Sequence, residues 1–524
     1  MAFLRQLLLA ARFALLLPLA FVLFSREKTK RAFPPSPFQF VGVQTDQFMA
    51  WTRALFRSVT STAVNVNEGY KTFSLKHNLA FSLPSLTYGC ITILPPSQLD
   101  VLNRPEADLL SHPIQMEVMQ PGYLMGDPDE LLFKNPIQFE VVRQHMTKDI
   151  GFFAASTADE IHHLFSEGFR FTSKQTTVGV WNFSLRIVGR VANRALLGLP
   201  LCRNETLLER SAMYASVVYF GSTIISSLPT SMRWLVGPII GVVGRRHANF
   251  CKQIMEPLIE ERLRARDKAD LTEMPNDALQ WMIQKSARSD PNNLKPDVIA
   301  QRILILQITS IYTTTLALSH ILVNLYGSES KDDFVAGLRS ECERVTAEHQ
   351  GLSTKQAIDK LYRMDSTIRE SLRVSPFSVI APIRIVGSEG GIDLGEGHYL
   401  QKGARVGAPF QAIHHDDRYY TNPYKFDAFR FSRAFEGSGI GHRQHSEQEL
   451  TVNVNDRFLS WGYGRHVCPG RWYISQTLKQ ILSYVVQKYD ISLQGEREDP
   501  KSLLNFIVPP TKSQIKIKKR DHIR

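Results

Sequence analysis

The run from Pro296 to Tyr326, PDVIAQRILILQITSIYTTTLALSHILVNLY, constrains this chain more than any other stretch. Apolar residues recur at helical spacing and almost all round the helix. No face is left for water, so the helix has to lie buried in the middle of the protein. It is not a clean membrane span, because Arg302, Gln307 and a cluster of hydroxyls interrupt it. A chain of 524 residues, 43% hydrophobic and 21% charged, can build such a core as one large domain or as two or three smaller ones.

The rest of the pattern favours one continuous domain. No internal repeat and no long low-complexity linker follows Pro37. Tyr70 to Ser97 alternates and is punctuated by proline, which predicts short strands. From about Ile137 to Lys268 the periodicity predicts long helices. Ser353 and Gln356 form a capping box at the start of the segment that Pro376 stops. Arg471 to Tyr489 reads as an amphipathic helix with Pro469 at its first position. The expected class is mainly α with a minor β region.

Lys and Arg exceed Asp and Glu by 12, and the pI is about 9.4. That balance suits an acidic partner or an anionic membrane face, or is simply a basic surface. Five cysteines without a CxxC pair argue against a disulfide framework and for a reducing compartment. Leu7 to Phe24 is apolar apart from Arg12, and is followed by REKTKR and FPPSP. A secretory signal competes with this reading, but no convincing cleavage site follows Phe24. The expected organisation is a membrane anchor over residues 1–25, a basic and Pro-rich hinge over 26–37, and a catalytic domain over 38–524. The Lys/Arg bias places that domain on the cytosolic side.

The loop WGYGRHVCPG, Trp461 to Gly470, holds a lone cysteine among glycines. Zinc needs about four ligands, and only His466 lies near Cys468. A nucleophilic thiol is favoured by a helix N-terminus but lacks an identifiable base. An inert core cysteine leaves the glycines unexplained. A haem-thiolate fits the composition best, since such a ligand is held by backbone N–H groups rather than bulky side chains. In that reading Gly464 and Gly470 admit the porphyrin, Trp461 shields the sulfur, and His466 reaches a propionate.

Further motifs carry a resemblance. The loop has the spacing W-x-x-G-x-x-x-C-x-G, Glu370-Ser-Leu-Arg373 reads E-x-x-R, and Arg430 follows in FDAFRF. The chain thereby resembles the cytochrome P-450 family of haem-thiolate monooxygenases from about Phe38 onward. It departs at Trp461, where the family has phenylalanine, and at Ala428, where proline is common. GLPLCRN (Gly198 to Asn204) looks like the branch found in fungal secondary metabolism.

The resemblance implies the cytochrome P-450 fold and haem b bound through Cys468 as axial ligand. It implies that Glu370, Arg373 and Arg430 form a structural ion cluster, and that Arg384 contacts a propionate. The family's oxygen-activating threonine falls on Thr313, with Tyr312 where an acid is usual and Ser310 where glycine or alanine is usual. A phenol, with an unperturbed pKa near ~10, cannot replace a carboxylate unaided. NADPH electrons would arrive through a reductase, for which a basic surface around Arg465, Arg471 and Lys479 would suit. The expected substrate is an apolar small molecule, a terpenoid or other secondary metabolite, taken with O2. Ser111 to Pro128 would form the lid over it, and Leu306, Thr309 and Ser310 the floor. The expected location is the endoplasmic reticulum membrane, with no nucleic-acid partner. Two other readings remain: a reductase-independent isomerase or dehydratase, and a membrane-tethered haem sensor.

Overall fold

The computed structural model describes residues 36–127, 130–169, 171–172, 174–266, 274–395, 397–436, 449–497 and 499–520. The anchor expected over 1–25 and most of the hinge expected over 26–37 lie outside the described residues.

In chain order the principal elements are as follows. Helix α1 (Ala50–Gly69) precedes β1 (Phe81–Ser85), β2 (Gly89–Ile93) and β3 (Leu109–Leu110). Then come α2 (His112–Met119), α3 (Ile150–His163), β4 (Thr176–Gly179), α4 (Val180–Leu196), α5 (Glu205–Ser227) and α6 (Thr230–Arg266). They are followed by α7 (Ala278–Ala287), α8 (Pro296–Tyr326), α9 (Lys331–His349) and α10 (Tyr362–Val374). The chain finishes with β5 (Ile383–Val386), β6 (Arg405–Gly407), α11 (Arg471–Lys488), β7 (Tyr489–Gln494) and β8 (Gln514–Lys519).

Helix α8 is the axle. Nearly all of it is buried, and it packs against α4, α5, α6 and α10. Among the described residues it alone has the length and apolarity of a membrane span, yet the interior takes up most of its surface. Its two polar interruptions find partners within that interior, although Arg302 Nε and Gln307 Oε1 have none among the described residues. Arg302 donates to the Asn135 carbonyl at 2.7 Å and to Asn293 Oδ1 at 2.9 Å, and Gln307 donates to Asn193 Oδ1 at 2.6 Å.

The helices around it end where side chains take over orphan backbone groups. Asn204 caps α5 by accepting from the Leu207 N–H at 2.9 Å, and Asp277 caps α7 by accepting from Gln280. The start of α10 is capped from another helix, as Glu341 accepts from the Arg363 and Met364 N–H groups at 2.7 and 3.0 Å.

The β region is a mixed sheet in the order β1-β2-β6-β5-β3, parallel only where β2 meets β6. A separate antiparallel sheet runs β4-β8-β7. In the first sheet β5 pairs Arg384 with Val406 of β6.

Three local expectations are corrected. Tyr70–Ser74 is a widened helical turn continuing α1, so strand begins only at Phe81. The Phe81 ring lies so close to Gly69 that a Cβ there would meet it at 2.3 Å, which makes the end of α1 part of the packing under the sheet. The cap near Ser353 is Thr354, whose extended backbone lets its hydroxyl accept from Ala357 at 3.3 Å. Pro469 precedes α11 by two residues, and Gly470 is its N-cap.

Candidate active site: a cysteine loop facing the central helix

The Cys468 loop is closed on itself by the Cys468 N–H donating to the Trp461 carbonyl at 2.8 Å. Gly462 and Gly464 take left-handed backbone angles, φ 88° and 75°. A Cβ on Gly464 would lie 2.6 Å from Asn103 Oδ1 and 2.8 Å from the Leu102 carbonyl, so glycine is required there by conformation and by space. Gly470 has an ordinary φ of −83°, and a Cβ on it would make only van der Waals contact, 3.9 Å from Cys468 Sγ. Cys468 itself keeps some exposure within a region that is otherwise core. Burial pushes its thiol up. The backbone N–H groups of Gly470 and Arg471 and the Arg471 guanidinium pull it back down.

Beneath the loop, α10 presents a buried ionic cluster. Arg373 forks onto Glu370, with Nε to Oε2 and Nη2 to Oε1 both at 2.8 Å, and neither residue is exposed. Arg430 adds Nε to both carboxylate oxygens at 3.1 Å, and the Asp427 N–H donates to Oε1 at 3.2 Å. The spare donors tie down loops: Arg373 Nη1 reaches the His414 and Pro423 carbonyls, and Arg430 Nη1 reaches Thr421. A charge buried this deeply is tolerable only because every oxygen and nitrogen finds a partner.

Sequence reasoning missed two residues on the same helix and misplaced a third beside it. Arg369 donates from Nη1 to the Leu450 and Asn453 carbonyls, and its guanidinium sits 3.9 Å from the Phe458 ring centroid. Asp365 accepts the Thr451 N–H at 2.6 Å, and its own carbonyl accepts the Thr451 hydroxyl at 2.7 Å. Lys479 of α11 lies 3.5 Å from Asp365. Asp365 and Arg369 fall one turn apart with Glu370 beside them, but nothing in the spacing announces partners near residue 450.

On α8, the Thr313 hydroxyl donates to the Thr309 carbonyl at 2.7 Å, and the Ser310 hydroxyl to Leu306 at 2.6 Å. Thr309 does the same toward Ile305 at 2.9 Å. Thr309, Ser310, Tyr312 and Thr313 are half-buried, on a helix whose flanking turns are fully buried. Tyr312 points elsewhere than into this hydroxyl ladder. Its ring stacks on Tyr219 at 4.4 Å and meets the edge of Trp181 at 5.3 Å, and burial raises its phenol above the ordinary value. That places Tyr312 in an aromatic wall between α4, α5 and α8, and makes it a still weaker acid than a free phenol.

At the other edge, His466 Nε2 pairs with Glu106 Oε2 at 2.8 Å. Glu106 also accepts from the Ser111 N–H and hydroxyl and from the His112 N–H, which caps α2. Burial alone would raise the Glu106 carboxyl, but these bonds outweigh it and hold the group below the usual range. Arg384 is only 8% exposed, yet among the described residues it donates only to the Ile383 carbonyl at 2.8 Å and has no carboxylate within ion-pair distance. Burial lowers its pKa, and the charge of Glu106 opposes that.

The basic surface expected from Arg465, Arg471 and Lys479 does not form. Lys479 is buried against Asp365, and Arg471 is half-buried, donating to the Cys468 and Val452 carbonyls at 2.9 and 3.0 Å. Only Arg465 is exposed.

A thiol with backbone N–H groups turned toward it, and a buried guanidinium short of a carboxylate, together fit a haem. The iron would take Cys468, and an acidic edge of the ring would complete Arg384. The cytochrome P450 family description matches residues 125–517. Cytochrome P450 monooxygenase htyF of Aspergillus rugulosus is 36% identical over 483 residues, covering 89% of this chain and 70% of that protein. Cytochrome P450 monooxygenase gloP of Glarea lozoyensis is 32% identical over 496 residues, covering 92% and 90%. The crystal structure of the cytochrome P450DA heme domain shares the fold, with a TM-score of 0.65 at 14% identity, covering 93% of this chain and 98% of that one.

Fold and site thus define a haem-thiolate oxidoreductase. The chain belongs to the cytochrome P450 family. It is a monooxygenase that uses haem b, and NADPH electrons delivered through a reductase are typical of its family.

Proposed function

We propose that this monooxygenase inserts one oxygen atom into an apolar small molecule of the terpenoid or another secondary-metabolite class, at the endoplasmic reticulum membrane. Bound haem supplies the one-electron and oxygen chemistry. The chain's residues do the rest. Cys468 ligates the iron, Arg384 holds the acidic edge of the ring, and Glu370 with Arg373 and Arg430 fixes the loops below it. Thr313 on α8 would handle the proton, and Ser310 would add a second hydroxyl one turn away. Tyr312 shapes the wall.

The observation that carries the substrate reading is the character of the lining. Helix α2, the proposed lid, packs Met116 and Met119 into one apolar cluster with Leu306, Tyr219 and Tyr312, and the Trp181 ring meets Tyr312 beside them. Expression beside a fungal reductase, with terpenoids fed in, should give oxygenated products that vanish in Cys468→Ala. Turnover without NADPH and O2 would establish the isomerase or dehydratase reading instead. Thr313→Ala should consume NADPH while forming several-fold less product per NADPH; an unchanged ratio removes Thr313 from proton handling.

Membrane association is supported by helix α6, which is built inside out. Gly237, Gly241 and Gly244 face inward, against Tyr123, Val217 and Leu124. Trp234, Leu235, Ile239 and Val242 face outward at 53–68% exposure. A bulky apolar face turned away from the core calls for an apolar cover. Trp234→Ser with Ile239→Ser should lower vesicle binding without altering the haem spectrum, and equal binding would exclude this face as the contact.

A further inference from the structure

The chain around residue 450 reaches the ligand loop from two sides. The Trp461 indole Nε1–H donates to the Thr451 carbonyl at 2.6 Å, and the Arg471 guanidinium Nε donates to the next carbonyl, Val452, at 3.0 Å. From its other end Arg471 donates Nη1 to the Cys468 carbonyl at 2.9 Å. Thr451 has no freedom to move. It is fully buried and held at both N–H and hydroxyl by Asp365, which is 3% exposed and has Lys479 as counterion. Arg369 clasps the flanking Leu450 and Asn453 carbonyls.

Each end of this belt is therefore fixed to α10, and its middle fixes two side chains on either side of Cys468. An indole can make the first of these bonds and a phenyl ring cannot. The belt gives a physical use for tryptophan at 461.

We propose that Asp365 is a positioning residue for the thiolate: through Thr451 and Val452 it holds the Arg471 cation and the Trp461 ring against the Cys468 loop, and so sets how strongly the sulfur donates to iron. The inference rests on the haem-thiolate reading. A fixed cation beside an anionic ligand draws charge from it, and favours the reduced metal. Loosening the belt should then return electron density to the sulfur and make the ferric form harder to reduce.

The test is the ferric/ferrous potential of the full-length holoenzyme, with haem content and the ferrous–carbonyl spectrum as companions. Arg471→Gln should shift the reduction equilibrium about tenfold toward ferric, which is ~59 mV more negative for one electron. Arg471→Lys should recover part of that shift. Asp365→Asn should move the potential in the same direction by less. The Asp365→Asn/Arg471→Gln pair should match Arg471→Gln alone, because Asp365 acts through Arg471. Trp461→Phe keeps an aromatic side chain but removes the indole donor along with the pyrrole ring, and should fall between wild type and Asp365→Asn.

Potentials that stay at the wild-type value in holoprotein with full haem content overturn the proposal. So does strict additivity of the pair. If Asp365→Asn yields no holoprotein, Asp365→Glu, which keeps the charge but displaces the carboxylate that accepts from the Thr451 N–H, decides in its place, and a wild-type potential there overturns the proposal. A wild-type ferrous–carbonyl spectrum without a thiolate signature would overturn the haem-thiolate reading itself, and is distinct from a normal spectrum with unmoved potentials.

Discussion

Among the described residues two carboxylates are fully buried, and each is held by two arginines. Glu370 takes Arg373 and Arg430. Glu160, on α3, takes Arg190 of α4 through Nε at 2.8 Å and Arg203 through Nε at 3.0 Å, with the Cys202 thiol 3.8 Å away. The first cluster is a fork with a local partner, three residues along one helix. The second joins residues 30 and 43 positions apart and stitches the GLPLCRN segment to α3 and α4. The difference lies in what each secures. The Glu370 cluster uses its spare donors on the loops that lead to Cys468, whereas the Glu160 cluster holds the helical layer on the far side of α4. One is a support for the site and the other a support for the fold.

That distinction is open to experiment. Glu370→Gln leaves the buried Arg373 and half-buried Arg430 guanidiniums short of a counterion and should cost about 3–5 kcal/mol, enough to abolish haem-containing protein. The check is holoprotein yield and the ferrous–carbonyl spectrum, and normal holoprotein would refute the assigned role. Glu160→Gln should cost about 3 kcal/mol, because Arg203 is partly exposed and water can replace its partner. Its urea midpoint should fall while the haem spectrum and potential stay as in wild type; an altered potential would erase the contrast between the clusters.

Arg430→Lys keeps the charge but loses the bonds to the Thr421 and Lys425 carbonyls, and should lower stability by about 1.5–3 kcal/mol, again read from urea unfolding. The smallest effect is one of pH. His414 and His415 lie beside Arg373, and burial followed by that charge holds His415 down to about 4 and His414 well below the ordinary value. An unfolded histidine titrates near ~6.5, so from there down to about 4 the unfolded chain binds more protons and stability falls with pH. His415→Asn should flatten that slope. A slope as steep as wild type would remove His415 from the account.

How much of this was legible depended on the distance over which the information is local. Glu370 and Arg373 declare themselves because one helical turn brings them together. The glycines around Cys468 declare a loop, and α8 declares its burial by being apolar all round. Asp365 and Thr451 stand 86 residues apart, and neither carries a local pattern that names the other. Lys479 looked like surface because lysine usually is, and only the fold places it against Asp365. Thr354 rather than Ser353 became the cap because capping depends on which residue has extended backbone, and adjacent hydroxyl residues are equal in sequence. His466 was expected at a propionate, and the structure engages it with Glu106, a residue whose placement is set by β3 and α2.

The hydroxyl ladder on α8 has a polarity of its own. Thr309, Ser310 and Thr313 each send their only hydrogen back into the helix, so the oxygens offer outward nothing but lone pairs. A water or substrate hydroxyl arriving there meets a row of acceptors ready to orient it. An arriving acceptor meets none, and must first turn a hydroxyl away from its carbonyl at about 1 kcal/mol. The groove is thereby biased toward guests that bring their own protons.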